Sequence, residues 1–216
     1  MRFVFSSQTT GLNLKESAYF LKSVGSHDTC IYVGSGPSAN RCNEFPEADL
    51  IGVNYSWKAM QRKPAAMLTQ FKHHLDAMDP AFIPWVLCPT QVWGQGRVVD
   101  AKECDFPQAQ TRLFEIREER FLNTEKMLQK LNKRALPVML RFGGIGTYGL
   151  IFCALAGYRK IILCGHDGGT GRHPLVHPSP LPKTKLHDEN LKRTRELAEG
   201  LVRHGYCPEI VFVQDL

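Results

Sequence analysis

Two glycine-rich turns, a His-Asp pair and a late histidine stand out in this chain as groups suited to binding or catalysis. Gly34-Ser35-Gly36-Pro37-Ser38 follows Cys30–Val33, a short run of β-formers, and so reads as a strand entering a tight loop. Pro37 suits the first turn of a helix, where its missing N–H is not needed, and Ser38 is of a type that bonds the unpaired amides there. Such a loop is expected to offer N–H groups to an anion, and phosphate is the usual anion at this place in an open α/β sheet. The spacing lacks the third glycine of a dinucleotide fingerprint and the Lys-Ser/Thr of a P-loop, so a plain structural turn is the competing reading.

The arrangement recurs in the other half of the chain. Gly143-Gly144-Ile145-Gly146-Thr147 precedes a small apolar helix over 148–157, which runs into the strand Lys160–Cys164 and stops at Gly165-His166-Asp167. Neighbours on a strand point to opposite faces, so His166 and Asp167 are not expected to act on one atom. No Asp-x-Asp is present to hold a divalent metal on a diphosphate, and no metal is expected. Segment 168–186 is rich in Gly, Pro and His, carries Arg172, His173 and His177, and reads as a mobile lid. His187 stands where this lid meets a helix over 188–204; its pKa range suits a general base, with an ordinary histidine near a helix cap as the bland alternative.

Strands that end in polar side chains would carry these groups to one edge. Leu50–Val53 ends at Asn54, Ala66-Met67-Leu68 ends at Thr69-Gln70, and residues 82–87 form a third apolar run. Asn54 and Gln70 would then line the crevice at the carboxyl ends of parallel strands, against the alternative of side chains simply facing water. Before the first glycine loop, Arg2–Phe5 reads as an edge strand and Asn13–Val24 as a helix, so 1–28 is taken as an extension to a domain over 29–216. Residues 91–107 read as a surface loop, 108–133 as an amphipathic helix with alternating charge, and Glu209–Val213 as the last strand.

At 216 residues and 43% apolar content the chain suits one domain. The apolar stretch Gly149–Tyr158 is broken by Arg159-Lys160 well short of a membrane span, and the N-terminus lacks a secretory signal pattern, so a cytoplasmic protein is expected. Seven cysteines without a Cys-x-x-Cys pair argue for reduced, mostly buried thiols. A net charge of +6 favours an anionic partner: a phosphorylated small molecule, an acidic glycan or a nucleic acid.

Together these motifs resemble the bacterial sialyltransferases of glycosyltransferase family 42 and the related MptE-like proteins. Val33–Ser38 matches the family's strand and Gly-x-Gly-Pro-Ser loop, and Asp49–Asn54 its next strand, which ends in a donor-contacting asparagine. Gly146-Thr147-Tyr148 followed by Ala154–Asp167 is similar to its Ser-Gly-x-Tyr and Ala-x-x-Leu-Gly-Tyr-Lys-Glu-Ile-x-Leu-x-Gly-x-Asp, and His187 falls where it places its base. The likeness spans about residues 29–70 and 143–213. Ile145 and Gly169 replace a serine and a tyrosine of the pattern, with Arg172, His173 or His177 as substitutes toward phosphate.

The resemblance implies an α/β, single Rossmann-like domain with a mainly parallel sheet. It implies an inverting, metal-independent glycosyltransferase with a nucleotide-sugar donor as co-substrate, no other cofactor, and a hydroxyl acceptor on a glycan or nucleic acid. Gly34, Ser35, Gly36, Pro37, Ser38, Asn54, Gln70, Gly144, Gly146, Thr147 and Asp167 would hold the donor, and His187 would be the base. The alternatives are an MptE-like nucleotide-binding or pyrophosphokinase-type protein, and a transferase that decorates DNA or another polyanion.

Overall fold

Helix α1 (Leu14–Val24) begins at a reciprocal cap, in which Asn13 accepts the Glu16 N–H at 3.0 Å and Glu16 accepts the Asn13 N–H at 2.8 Å. The computed structural model to which it belongs describes residues 12–94, 96–114, 116–117, 124–132, 139–140, 145–167, 173–176 and 185–216. After α1 come β1 (Thr29–Val33), β2 (Asp49–Val53), β3 (Ala66–Leu68), α2 (Lys72–Asp76), β4 (Val86–Pro89), β5 (Gln91–Trp93) and β6 (Val98–Asp100). Then follow β7 (Thr111–Phe114), β8 (Ile116–Arg117), α3 (Thr124–Asn132), β9 (Met139–Leu140), α4 (Ile145–Leu155), β10 (Lys160–Cys164), α5 (Lys185–Arg203) and β11 (Glu209–Phe212).

Seven strands form one sheet in the order β11-β10-β1-β2-β3-β4-β7, with every neighbouring pair parallel. This is the α/β class with a parallel sheet that the strand pattern predicts. Strand alternation divides the core between two faces. Cys30, Tyr32, Ile51, Ile161 and Leu163 pack with α1, α4 and α5 on one face, while Ile31, Val33, Leu50, Ile162 and Cys164 pack on the other, under the tight turns after β1 and β2. Helix α1, read from the sequence as part of an extension, contributes Ala18, Phe20 and Leu21 to the first core. All seven cysteines are buried and free, and burial pushes the Cys30, Cys88 and Cys164 thiols well up.

Three elements differ from the sequence reading. The run at 82–87 starts as a turn, with the Phe82 and Ile83 N–H groups both donating to the Asp79 carbonyl, and β4 begins only after Pro84, which has no N–H for a ladder. Where a surface loop or lid was expected, Gln91–Trp93 and Val98–Asp100 pair antiparallel: Val92 and Val99 point inward while their strand neighbours face water. Within 108–133, read from the sequence as one helix, Thr111–Phe114 is instead a strand on the edge of β4, and Thr124–Asn132 is helical. Arg112, placed on the solvated helix by sequence, lies over the Trp85 ring at 4.5 Å.

Candidate functional site

The sheet reverses its winding between β1 and β10. From β1 the chain moves outward through β2, β3 and β4, then returns to place β10 and β11 on the other side. Ligands of open α/β sheets bind outside the carboxyl ends of the strands at such a reversal. Val33 is level with Cys164 there, so the turn at Gly34–Ser38 and the turn at Gly165–Asp167 leave the sheet side by side.

They are bound to each other. The Gly34 N–H donates to the Cys164 carbonyl at 2.7 Å and the Gly36 N–H to the Gly165 carbonyl at 2.8 Å. A Cβ on Gly34 or Gly36 would strike the Gly165 carbonyl, and Gly165 itself has φ +70, so the close approach requires glycine. Ser38 completes the junction, donating its N–H at 2.8 Å and its hydroxyl to the Asp167 carboxylate while its Oγ accepts the Gly165 N–H at 2.8 Å.

This differs from the expected open anion cradle. The amides of Gly34, Gly36 and Ser38 donate within the protein, and the Asp167 carboxylate takes the anion's place at the start of the turn over Pro37–Glu44. The carboxylate takes the Ser38 N–H, and the Gly34 and Gly36 amides go to the Cys164 and Gly165 carbonyls.

His166 and Asp167 follow the end of β10 and Gly165 rather than lying on a strand, and they make separate contacts. The His166 ring stacks on Tyr32, with centroids 4.9 Å apart, on the face that carries α4. The residue as a whole is half-buried, but its Nε2 is enclosed and has no hydrogen-bond partner among the described residues. Burial lowers its pKa to about 4 against the opposing pull of Asp167. The imidazole is therefore neutral near pH 7. Tyr32 donates its hydroxyl to the Ile145 carbonyl at 3.2 Å, tying β1 to the start of α4, where Gly146 and Thr147 lie half-buried.

Asn54 directly follows β2 and is in the left-handed region, with φ 53, alone in this among the described non-glycine residues. Its Oδ1 accepts the Thr69 hydroxyl at 2.9 Å, and Thr69 Oγ1 lies 3.2 Å from His74 Nδ1. Gln70 accepts the Trp93 N–H through its carbonyl, so its backbone anchors the hairpin. Thr69 and His74 were not among the site residues that sequence reasoning selects. Their signal is a polar residue at a strand end and a histidine one turn into the next helix, too common to single out alone.

The turn 173–176 lies against the first glycine loop, with the His173 N–H donating to the Ser35 carbonyl at 3.0 Å and His173 Nδ1 accepting the Leu175 N–H at 3.3 Å. Gly144, Arg172 and His177 lie outside the described residues, as do 168–171 and 178–184 of the expected lid, while its end at 185–186 already belongs to α5. His187 falls in the first turn of α5, but its side chain is outside the described set. Among the described residues, no group of three or more His, Cys, Asp or Glu side chains is placed to hold a metal, and no helix is long and apolar enough to cross a membrane.

A second polar cluster lies at the opposite, amino edge. Buried Asp49 accepts the N–H groups of Ser26 and His27, the His27 ring and the Tyr158 hydroxyl. Burial alone would raise its pKa, but these hydrogen bonds outweigh it and hold the carboxyl below the usual range. The cluster ties the end of α1 to β2 and faces away from the glycine turns.

No family model matches the chain, and no curated protein matches it. Two solved structures are similar in outline. One is the alpha-2,3-sialyltransferase from Campylobacter jejuni in apo form, 15% identical, with 79% of this chain and 72% of that chain covered and a TM-score of 0.36. The other is a single-residue variant of the sialyltransferase CST-II in complex with CMP, 14% identical, with 82% and 80% covered and a TM-score of 0.38.

Proposed function

We propose that the protein is a glycosyltransferase that takes a nucleotide-activated sugar at the carboxyl edge of its sheet and transfers the sugar to a hydroxyl. The observation that carries this reading is the junction at the winding reversal, where the β1 and β10 turns are locked by Ser38 and Asp167. That place in an open α/β sheet is its general nucleotide position. The motif likeness described for the sequence supplies the reaction class.

With the Gly34, Gly36 and Ser38 amides taken internally, the first loop would receive the nucleotide by shape. The start of α4, with Gly146 and Thr147, offers helix-start amides to phosphate, and the acceptor-only Asp167 carboxylate suits sugar or ribose hydroxyls. His187 would accept the proton of the acceptor hydroxyl as that oxygen attacks the anomeric carbon. The bond from that carbon to the phosphate oxygen breaks, and the nucleotide leaves with the electron pair. The net charge of +6 suits an anionic acceptor.

Calorimetric titration with CMP, UDP, GDP and Mg-ATP tests the reading. A monophosphate or diphosphate is expected to bind without added metal. His187→Ala is expected to keep that affinity while turnover of the matching donor falls by about 10²–10⁴-fold, the usual contribution of a general base. A preference for Mg-ATP would reassign the crevice to a triphosphate-binding protein, and no binding at all would leave the glycine turns structural.

A further inference from the structure

Ser38, expected from the sequence to hold a donor nucleotide, holds Asp167 instead. Its N–H donates to Asp167 Oδ2 at 2.8 Å, its hydroxyl meets Asp167 Oδ1, and its Oγ lies 2.8 Å from the Gly165 nitrogen. The hydrogens of this set have only one placement. A backbone N–H can only donate, so Ser38 Oγ accepts from Gly165; a carboxylate can only accept, so the hydroxyl hydrogen goes to Asp167.

Each Asp167 oxygen thus takes one hydrogen bond from Ser38 and, among the described residues, no other. A carboxylate offers roughly four lone-pair sites, so one stays open on each oxygen. Asp167 is half-buried and stands at the start of the turn over Pro37–Glu44, beside the winding reversal. A fixed negative charge at that place repels phosphate, whereas its open lone pairs receive O–H donors. Two acceptors side by side on one aligned carboxylate suit two hydroxyls on neighbouring carbons. In a nucleotide those are the 2′- and 3′-hydroxyls of the ribose.

We propose that Ser38 is a positioning residue that aligns Asp167 to accept the paired ribose hydroxyls of a nucleotide, with the phosphates lying away from the β1 turn. The ligand half of this rests on the nucleotide reading above. The glycine turn after β1 then works with the polarity opposite to that expected from its spacing. It meets the sugar of the nucleotide with an acceptor, where an open loop meets phosphate with N–H donors. Gly36 belongs to the same device, since a Cβ there would strike Asp167 Oδ2 and push the carboxylate off the turn.

Calorimetry compares the ribonucleotide that the wild type binds best with its 2′-deoxy, 3′-deoxy and 2′,3′-dideoxy forms. Loss of either hydroxyl is expected to weaken binding about tenfold or more, as for a hydrogen bond to a charged acceptor. Ser38→Ala is expected to weaken the ribonucleotide by a similar factor and to leave the dideoxy form unchanged, while Ser38→Thr, which keeps a hydroxyl, restores the difference. A serine with a merely structural role would lower the affinity for the ribo and dideoxy forms alike, and that result overturns the positioning role. Equal wild-type affinity for the ribo and all deoxy forms overturns the ligand assignment while the nucleotide reading stands, and this comparison needs no variant to fold. Binding of no nucleotide by the wild type overturns the assignment together with that reading.

Discussion

His166 sets burial against protonation at the centre of the site. Its folded pKa of about 4 lies below the ordinary value of 6.5. Between these values the unfolded chain binds a proton that the folded chain does not, so stability rises with pH across the window and falls as pH drops from about 6.5 toward 4. At pH 4.5 the loss amounts to about 2–3 kcal/mol, since each tenfold difference in proton affinity between the two states is worth about 1.4 kcal/mol. His166→Phe keeps a ring on Tyr32 and removes the titration. Urea midpoints at pH 7 and 4.5 are expected to lie closer together in this variant than in the wild type; equal gaps would mean that His166 is hydrated and titrates normally.

Among the packed elements, the site depends on how closely α4 approaches β1. Gly149 lies against the phenol of Tyr32, the same ring on which His166 stacks, and a Cβ there would overlap the Tyr32 hydroxyl and ring edge. Alanine in a helix interior gains about 1 kcal/mol over glycine, whereas overpacking a filled core costs about 1–3 kcal/mol. Gly149→Ala is therefore expected to destabilise, and Tyr32→Phe in the same chain to recover part of the loss by removing the nearest atom. Denaturant unfolding of both variants decides it, since a neutral or stabilising Gly149→Ala would place α4 farther from the sheet. The lock between the glycine turns likewise joins two elements, linking the ends of β1 and β10 through one serine and one aspartate.

Across the molecule, a parallel sheet buried on both faces predicts a gradient of local stability from centre to edge. β1 and β10 are buried along nearly their whole length, whereas β11 begins at an exposed Glu209 and β7 is half-buried at Arg112 and Leu113. Opening an edge strand uncovers fewer apolar contacts than opening a central one. Native-state hydrogen exchange is expected to be slowest in β1 and β10 and faster in β7 and β11. Equal protection across the sheet would mean that it opens only as a unit.

Strands β1, β2, β3, β10 and β11, helices α1, α4 and α5, and the glycine turn after β1 were all legible in the amino-acid order. Each rests on a local signal: an apolar run with a polar stop, a helical period with a cap, or a glycine where backbones meet. The remainder depends on contacts between segments far apart in the chain. Thr111–Phe114 looks helical in its charged neighbourhood and becomes a strand because the open edge of β4 offers unpaired backbone groups. Ser38 and Asp167 are 129 positions apart, and only the return of β10 beside β1 brings them within hydrogen-bond distance, converting an expected anion cradle into an internal lock. Asn54 was visible as a strand-end residue. Its hydrogen bond to Thr69 was not, because Thr69 ends a neighbouring strand whose register beside β2 only the folded sheet sets.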